Sequence, residues 1–241
     1  TIQTNDFSPV PDGAYDLDIN LEPENTETSW RPLWTATAWF RDPGVTESDE
    51  GKKPSTACPA PMKLFRKIDL SSTSVPGWLN DYLEDDLVAT GNTYHDIGMI
   101  WGARLGSSRG IFADNVNEGF DDGSVRSVSR HMIFMTDGKM EPNRERYTAY
   151  GTEQSDNRIG PVNASNNDLI SLHSLRFRAA CDAAKAEGYI IYVVAFAGTT
   201  VTNDMKYCSS DNRWYYSSNT ESLRNTFKFI ASQVADLRLG A

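Results

Sequence analysis

The sequence contains little cysteine, little histidine and no long apolar run. Three cysteines and three histidines occur among 241 residues, and none of them has the spacing of a zinc site. The longest apolar run, Tyr189–Ala197, has nine residues, whereas a membrane-spanning helix needs about 20. The sequence therefore predicts neither a zinc protein nor a transmembrane helix, and the chain is long enough to form a core without metal or disulfide support.

The charge balance argues against two further classes of partner. The chain has 23 lysines and arginines against 33 aspartates and glutamates, which gives a net charge of −10. Binding of nucleic acid requires a basic surface that replaces the counterions along the phosphates, and binding of anionic lipid also requires positive charge. Hydrophobic residues make up 39% of the chain and aromatic residues 11%, too much for a disordered protein. We therefore expect a folded, acidic domain that binds no nucleic acid.

The first residues suggest a piece of a longer protein. The first residue, Thr1, is not an initiator methionine, and the residues after it lack the charged and apolar regions of a signal peptide. We therefore expect the protein to continue upstream of Thr1. The odd number of cysteines fits this interpretation, because the partner of Cys58 would then lie in the upstream part.

Residues 1–56 differ from the rest of the chain. They are rich in proline and contain an alternating segment, Tyr15–Leu21, that is typical of a half-buried strand. A second segment, Trp30–Phe40, favours an edge strand, because Pro32 cannot donate a backbone hydrogen bond. We interpret residues 1–56 as an irregular or β-rich insertion.

Residues 57–241 alternate between strand and helix patterns. The apolar run His131–Thr136, the helical pattern Asp168–Glu187 and the β-branched run Tyr189–Phe196 predict a strand, a crossover helix and a parallel strand. This order is typical of a doubly wound, mostly parallel α/β sheet in three layers. The other predicted elements are the strands Met62–Leu70 and Trp214–Ser217, the helices Pro76–Ala89 and Tyr94–Leu105, the loops Gly106–Gly123 and Lys139–Asn167, and a last helix that begins with a capping box at Ser218–Glu221.

Asp137 and Thr93 are the first candidates for chemistry. Asp137 follows a predicted buried strand, at the edge of the sheet where ligands bind in open α/β folds. A carboxylate there can hold Mg²⁺ directly or through water, but Asp-Gly is also a common turn. Thr93 precedes a predicted helix and offers either a hydroxyl ligand for a cation or, more simply, a cap for that helix.

The histidines form no convincing catalytic pattern. His95 and Asp96 are adjacent, and neighbouring residues of a helix do not face each other. His131 begins a predicted strand and His173 lies on the long predicted helix, with no nucleophile elbow or cysteine–histidine arrangement in the sequence. We therefore predict no catalytic residue.

Cys181 and Cys208 carry a separate hypothesis. Cys181 lies near the end of the long predicted helix, and Cys208 follows the loop after the next strand. These elements are neighbours in a crossover, so the geometry allows a disulfide. Two buried thiols are the alternative.

Several of these segments resemble one protein family. The stretch Met132–Gly138, MIFMTDG, resembles the strand of von Willebrand factor A (vWA) domains that ends in Thr-Asp-Gly. The stretch Gly91–Leu105, GNTYHDIGMIWGARL, is more specific and resembles the vWA-like domain of TadG-type tight-adherence (Flp) pilus assembly proteins. The similar C-terminal segments are Cys181, Lys185, Tyr189–Phe196, Cys208-Ser209-Ser210, Trp214–Tyr216 and Leu223–Leu239.

The resemblance implies a bacterial extracytoplasmic domain that is anchored by a transmembrane helix upstream. It implies interaction with proteins during pilus assembly rather than catalysis. It also implies a metal-ion-dependent adhesion site, in which loops at the carboxyl edge of the sheet hold Mg²⁺. Thr93 matches the threonine of such a site, and Asp137 matches its Thr-Asp-Gly aspartate. With the family resemblance included, we expect Cys181 and Cys208 to be bridged.

One part of the family pattern is absent from the sequence. No DxSxS motif precedes Thr93, and Asp69–Thr73 lies too close to Thr93 along the chain to be that motif. We therefore expect the first strand of the domain to lie upstream, and Mg²⁺ binding by this chain to be weak or absent. The arm at residues 15–40, or another chain, would fill the central position of the sheet.

The resulting prediction is a non-enzymatic interaction domain of the cell envelope, whose partners are other pilus assembly or envelope proteins. The alternative is a hydrolase or phosphoryl-transfer enzyme that uses Asp137 and a divalent metal ion. An enzyme needs a second catalytic group beside Asp137, such as His95, His131 or a carboxylate. A binding module needs only hydroxyl and carboxylate ligands around a cation. A third interpretation is a structural domain whose degenerate site binds no metal.

Overall fold

The computed structural model describes residues 17–24, 61–68, 74–87, 92–118, 128–153, 157–198 and 200–239. The predictions for Trp30–Phe40, Cys58 and Asp69–Thr73 lie outside these described residues. The helices are α1 (Gly77–Asp81), which continues into a π-helical turn (Tyr82–Asp86), α2 (His95–Leu105), α3 (Ala113–Asn117), α4 (Asn166–Ala186), α5 (Asn203–Cys208) and α6 (Thr220–Leu239). The strands are β1 (Arg130–Thr136), β2 (Tyr147–Thr148), β3 (Gly151–Thr152), β4 (Tyr189–Phe196) and β5 (Trp214–Ser217).

Three parallel strands form the central sheet, in the order β1-β4-β5. β4 takes the middle position because its run of apolar and aromatic residues suits a strand that is covered on both faces. Residues 189–195 of β4 pair with β1, and residues 193–196 pair with β5. The predicted α/β architecture with a parallel sheet is therefore confirmed, and β4 and β5 have the predicted bounds. The vWA-type doubly wound order remains a prediction.

Helices cover both faces of β4. Ile191 and Val193 belong to the largest buried cluster, together with side chains of α2, α4 and α5. Tyr192 and Val194 point to the opposite face, where Ile230 of α6 completes a separate cluster. The alternation follows from the two-residue period of a strand. None of the helices in the described part of the chain is long and apolar enough to cross a membrane.

Local sequence signals set the ends of α4. The Ser165 hydroxyl accepts a hydrogen bond from Asp168 N, and the Asp168 carboxylate accepts one from Ser165 N, which forms a capping box. The helix consequently begins at Asn166, slightly before the predicted start. It ends ahead of Gly188, whose φ of +84° is the left-handed conformation that glycine adopts after a helix.

The capping box of α6 lies one residue later than the sequence predicts. Asn219 Oδ1 accepts a hydrogen bond from Ser222 N at 2.9 Å, and Asn219 N donates to Ser222 Oγ at 3.1 Å. Ser218 and Glu221 match the sequence motif, but asparagine is an equally good cap residue. The predicted capped helix is present, but its cap is Asn219 and not Ser218.

Several predicted segments differ from the structure. Residues 62–68 of the predicted strand Met62–Leu70 form no regular element and are exposed, and residues 17–21, in the predicted strand Tyr15–Leu21, contain a turn and no strand. The two predicted loops contain α3 and the β2–β3 hairpin, while α5 has no predicted counterpart. These elements are two to six residues long, too short to show a hydrophobic period.

Leu17 and Ile19, from the segment interpreted as an arm, pack into the core beside β4. Arg104 at the end of α2 donates two hydrogen bonds, of 2.8 and 3.2 Å, to the carbonyl oxygen of Asp18, which lies between these two residues. Asn20 Nδ2 donates to Glu187 Oε1 at 2.9 Å. These contacts attach the segment to the amino edge of the sheet, where β4 begins.

Cys181 of α4 and Cys208 of α5 form a disulfide, with their Cα atoms 5.2 Å apart. Both residues are fully buried and belong to the largest cluster. The bond therefore joins the helix that leads into β4 to the helix that follows it. Of the two alternatives for these cysteines, the structure contains the bridge.

Removing this disulfide should lower the free energy of unfolding by about 2–4 kcal/mol, because the unfolded chain without the cross-link has a higher conformational entropy. The test is urea denaturation of a Cys181→Ser/Cys208→Ser double variant. Reductant should produce the same loss in the unchanged protein and none in the double variant. If both thiols were freely alkylated after denaturation without reductant, the bridge would be absent.

Candidate functional site

Thr93 lies against the bend that carries Asp137. β1 ends at Thr136, and Asp137 and Gly138 form the bend at the carboxyl edge of the sheet. Thr93 Oγ1 is 3.2 Å from the position that a Cβ on Gly138 would occupy. A larger residue there would crowd the threonine hydroxyl, so glycine permits the close approach. The structure thus places the two predicted site residues on adjoining segments.

Backbone pairing fixes Thr93 in this position. Glu141 N donates to Thr93 O at 2.9 Å in an isolated antiparallel bridge, and Asn92 Nδ2 donates to Glu141 O at 3.0 Å. The cap residue of α2 is Tyr94, and it makes no side-chain cap hydrogen bond. The alternative in which Thr93 caps the helix is therefore wrong, because Thr93 precedes the cap position by one residue.

His95, the first residue of α2, supports the bend from the core side. Its Nε2 lies 3.3 Å from Gly138 O and 3.4 Å from Thr136 Oγ1. Its ring packs against Phe134 and Phe177, with ring centroids 5.4 Å apart in both pairs. Burial lowers the pKa of His95, so the imidazole is neutral at pH 7 and its N–H is available to the carbonyl. The sequence analysis missed this positioning role.

The other two histidines lie away from the bend. His131 is near the opposite end of β1, about 20 Å along the strand, and its ring stacks on Tyr192 with centroids 5.9 Å apart. His173 is buried on α4 and pairs with Asp96. The side chains of His95 and Asp96 contact different partners, as expected for neighbouring residues of a helix.

A buried ion pair joins α2 to α4. Asp96 is fully buried, and its Oδ2 is 2.8 Å from His173 Nδ1 and 3.5 Å from Arg176 Nε. The Tyr150 ring faces Arg176, with the guanidinium carbon 4.6 Å from the ring centroid. Burial raises the pKa of Tyr150 and lowers that of Arg176. The sequence analysis missed this cluster; an acidic residue within an apolar helical stripe is the signal that points to it.

Residues 137–153 and 157–165, between β1 and α4, are here named the carboxyl-edge loop, and hydrogen bonds to Tyr94 and within the loop order it. Tyr94 OH accepts a hydrogen bond from Asn143 N at 3.0 Å, and burial raises the pKa of Tyr94 to about 12. Farther along, the buried Glu153 carboxylate accepts hydrogen bonds of 2.6–3.2 Å from the backbone N–H groups of residues 158–160. The loop is thus a fixed surface, as binding loops on a rigid scaffold commonly are.

The residues at this edge offer oxygen ligands. The Thr93 hydroxyl and the Asp137 carboxylate are hard donors, which suit Mg²⁺ better than softer metal ions. Two such ligands occupy a minority of an octahedral shell, and water would complete it. Within the described ranges, no group of three or more His, Cys, Asp or Glu side chains is placed to hold a metal ion. Thr93 and Asp137 are therefore suited to supply two oxygen ligands of such a site.

Comparison of the chain with protein-family models, curated proteins and solved structures finds no significant match. The resemblance to vWA domains and to TadG-type proteins therefore rests on the sequence motifs alone.

Asp96→Ala should lower the free energy of unfolding by about 3–5 kcal/mol, because it removes the buried carboxylate that pairs with the charged Arg176 guanidinium. Asp204→Ala is the matched control. Its pair with Arg178 is partly exposed, at 29% and 41%, and such pairs contribute at most about 1 kcal/mol. Urea denaturation followed by tryptophan fluorescence measures both variants. Equal losses would contradict a special role for the buried pair.

Mg²⁺ should bind this chain weakly, with a Kd of roughly 1 mM or higher, because only two protein ligands are expected. Isothermal titration measures the affinity, and Asp137→Asn should abolish the remaining binding. Asp211→Asn alters an exposed aspartate and should leave binding unchanged. A micromolar Kd that depended on Asp137 would show that further ligands complete a strong site.

Proposed function

We propose that residues 57–241 form a vWA-like domain of a TadG-type tight-adherence pilus assembly protein. In this proposal the domain lies outside the cytoplasm and is anchored in the membrane by a segment upstream. It binds other pilus assembly or envelope proteins through the carboxyl-edge loop and performs no catalysis.

One observation carries the proposal. The Thr93 hydroxyl and the Asp137–Gly138 bend adjoin each other at the carboxyl edge of a parallel sheet. The sequence motifs that contain them are the ones that resemble the adhesion site of vWA domains. A hydroxyl and a carboxylate at this edge suit a bound cation whose remaining positions accept a ligand from a partner protein.

The ordered loop and the disulfide add support. The carboxyl-edge loop presents a fixed surface around the bend, which reduces the entropy that binding would otherwise cost. The Cys181–Cys208 bond favours an oxidising compartment, because reductants of the bacterial cytoplasm keep most protein thiols reduced.

Binding is favoured over catalysis by the surroundings of the two candidate histidines. His95 is only 5% exposed, and its Nε2 already contacts Gly138 O. His131 lies about 20 Å from the bend along β1. Neither residue is in a position typical of a general acid or base that meets a substrate at Asp137.

Photo-crosslinking in bacteria that assemble tight-adherence pili tests the proposal. A photoreactive side chain at Glu145, exposed on the carboxyl-edge loop, should form cross-links to an envelope protein of the pilus system. The same probe at Asp211, 83% exposed just before β5, should form few. Asp137→Ala should reduce the cross-links from position 145 at least about fivefold, if loss of one binding contact costs ~1 kcal/mol or more.

The contrary outcomes are equally specific. Cross-links of equal yield from both positions would indicate nonspecific proximity, and their absence at position 145 would refute binding through this loop. Turnover of a phosphate or acyl ester that is lost in Asp137→Asn would instead support the enzymatic alternative.

A further inference from the structure

One arginine of the carboxyl-edge loop has buried hydrogen-bond donors that are not used. The Nε and Nη1 atoms of Arg146 are buried and make no hydrogen bond within the described part of the chain. A buried N–H group without an acceptor is unfavourable, and a buried charge without a partner is more so. Such a group is typical of a site that a ligand or an ion completes.

Two carboxylates share the surroundings of Arg146, and both already have other partners. Burial raises the pKa of Tyr94 to about 12, and the charges of Asp96 and Glu153 add to this rise. The positive charge of Arg146 acts in the opposite sense, so all these charged groups lie near the Tyr94 hydroxyl. Side chains of α4 contact Asp96, and backbone N–H groups of the loop bind Glu153.

Hydrogen bonds attach the turn that carries Arg146 to the beginning of α2. Arg146 N donates to Asn143 O at 3.2 Å, and the Tyr94 hydroxyl donates to the same carbonyl oxygen at 3.3 Å. Asn143 Oδ1 accepts a hydrogen bond from Glu145 N at 2.9 Å, which closes an Asx turn. The turn is therefore fixed at the carboxyl edge of the sheet.

The surface around Arg146 is open to an anion. The residue is partly exposed, so solutes reach one side of it. The described residues of the loop carry as many basic as acidic side chains, whereas the whole chain has 33 acidic and 23 basic residues. The loop therefore repels an acidic partner less than the rest of the protein does. The four basic residues are Lys139, Arg144, Arg146 and Arg158, and the four acidic residues are Asp137, Glu141, Glu145 and Glu153.

A single guanidinium favours a carboxylate over a phosphate. The N–H groups of arginine match the two oxygens of a carboxylate, and one positive charge balances one negative charge. A phosphate monoester carries about two negative charges at pH 7, and its recognition commonly uses a cluster of arginines. The next arginine along the chain, Arg144, is engaged elsewhere, since its Nη2 donates to Val162 O at 2.7 Å.

We propose that Arg146 binds the carboxylate of an acidic side chain on a partner protein. The carboxylate supplies the acceptor that the buried Nε–H lacks. The source of this carboxylate rests on the function proposed above, in which the carboxyl-edge loop binds other proteins. Carboxylate binding by Arg146 itself does not depend on the assignment to pilus assembly.

NMR titration of the full chain, labelled with ¹⁵N, tests the proposal. N-acetylglutamate amide carries one side-chain carboxylate, and N-acetylglutamine amide carries none. The first should shift the Arg146 Nε–H signal in a saturable way, with a Kd of roughly 1–30 mM, and the second should not. Arg178 is the internal control, because its Nε–H already donates to Asp204 at 2.6 Å and its signal should stay in place.

Two substitutions at position 146 measure the contribution of the guanidinium. Arg146→Lys should raise the Kd at least about threefold, because lysine keeps the charge but lacks the planar arrangement of donors. Arg146→Met should raise it at least about tenfold, because it removes a charge-assisted hydrogen bond. Backbone amide signals beside position 146 follow binding in these variants. Arg109→Gln removes a guanidinium with 67% exposure at the amino edge and should leave the Kd unchanged.

Urea denaturation separates binding from a structural role of Arg146. Arg146→Met keeps most of the apolar stem and removes a buried charge without an acceptor, so the midpoint of unfolding should stay the same or rise. A clear fall of the midpoint would mean that the guanidinium stabilises the fold, which would overturn the proposal. An unchanged or raised midpoint also establishes that loss of binding is not loss of folding.

The titration has two outcomes that would overturn the proposal. A shift of the Arg146 signal that sodium chloride reproduces would indicate an adventitious ion only. The absence of a saturable shift would mean that water satisfies the buried donors.

Photo-crosslinking from position 145 separates this proposal from the proposed function. Cross-links that decrease in Arg146→Met would support both. Cross-links that persist in Arg146→Met would support the function and refute contact of the partner through Arg146. Carboxylate binding in the titration without any cross-link would refute the function and the protein source of the carboxylate.

Discussion

The buried contact between Asp96 and His173 fixes how α2 lies against α4. A carboxylate with no exposure to water is stable only beside charged or hydrogen-bonding partners, and His173 and Arg176 of α4 supply them. The first turn of α2 is therefore held at one position over the sheet. Thr93 and His95 reach the bend after β1 because of that position, so the geometry of the carboxyl edge depends on a contact in the core.

Patterns within a short window of sequence predict most of the sheet. β4 is apolar along its whole length because helices cover both of its faces, and this run predicts its bounds without error. Gly188 predicts the end of α4 for a similarly local reason, since few other residues adopt its backbone conformation. Thr93 and Asp137 are predicted as candidates because each belongs to a short motif beside a regular element.

Contacts between distant residues escape this kind of prediction. Asp96 and His173 are 77 positions apart. The local sequence around either residue does not identify the other as its partner. The supporting role of His95 likewise depends on a distant segment, because the bend after β1 brings Gly138 O next to the His95 ring. Short elements such as α5 escape for another reason: they are stabilised by tertiary contacts, here the Cys208 disulfide, rather than by their own helical pattern.

The attachment of Leu17 and Ile19 to the core has a mechanical consequence. Arg104 and Glu187 hold the same segment through hydrogen bonds at the amino edge of the sheet. A force applied to the chain at residue 17 would pass into the end of α2 and the start of β4. That force would therefore enter the domain at the end of the sheet away from Asp137.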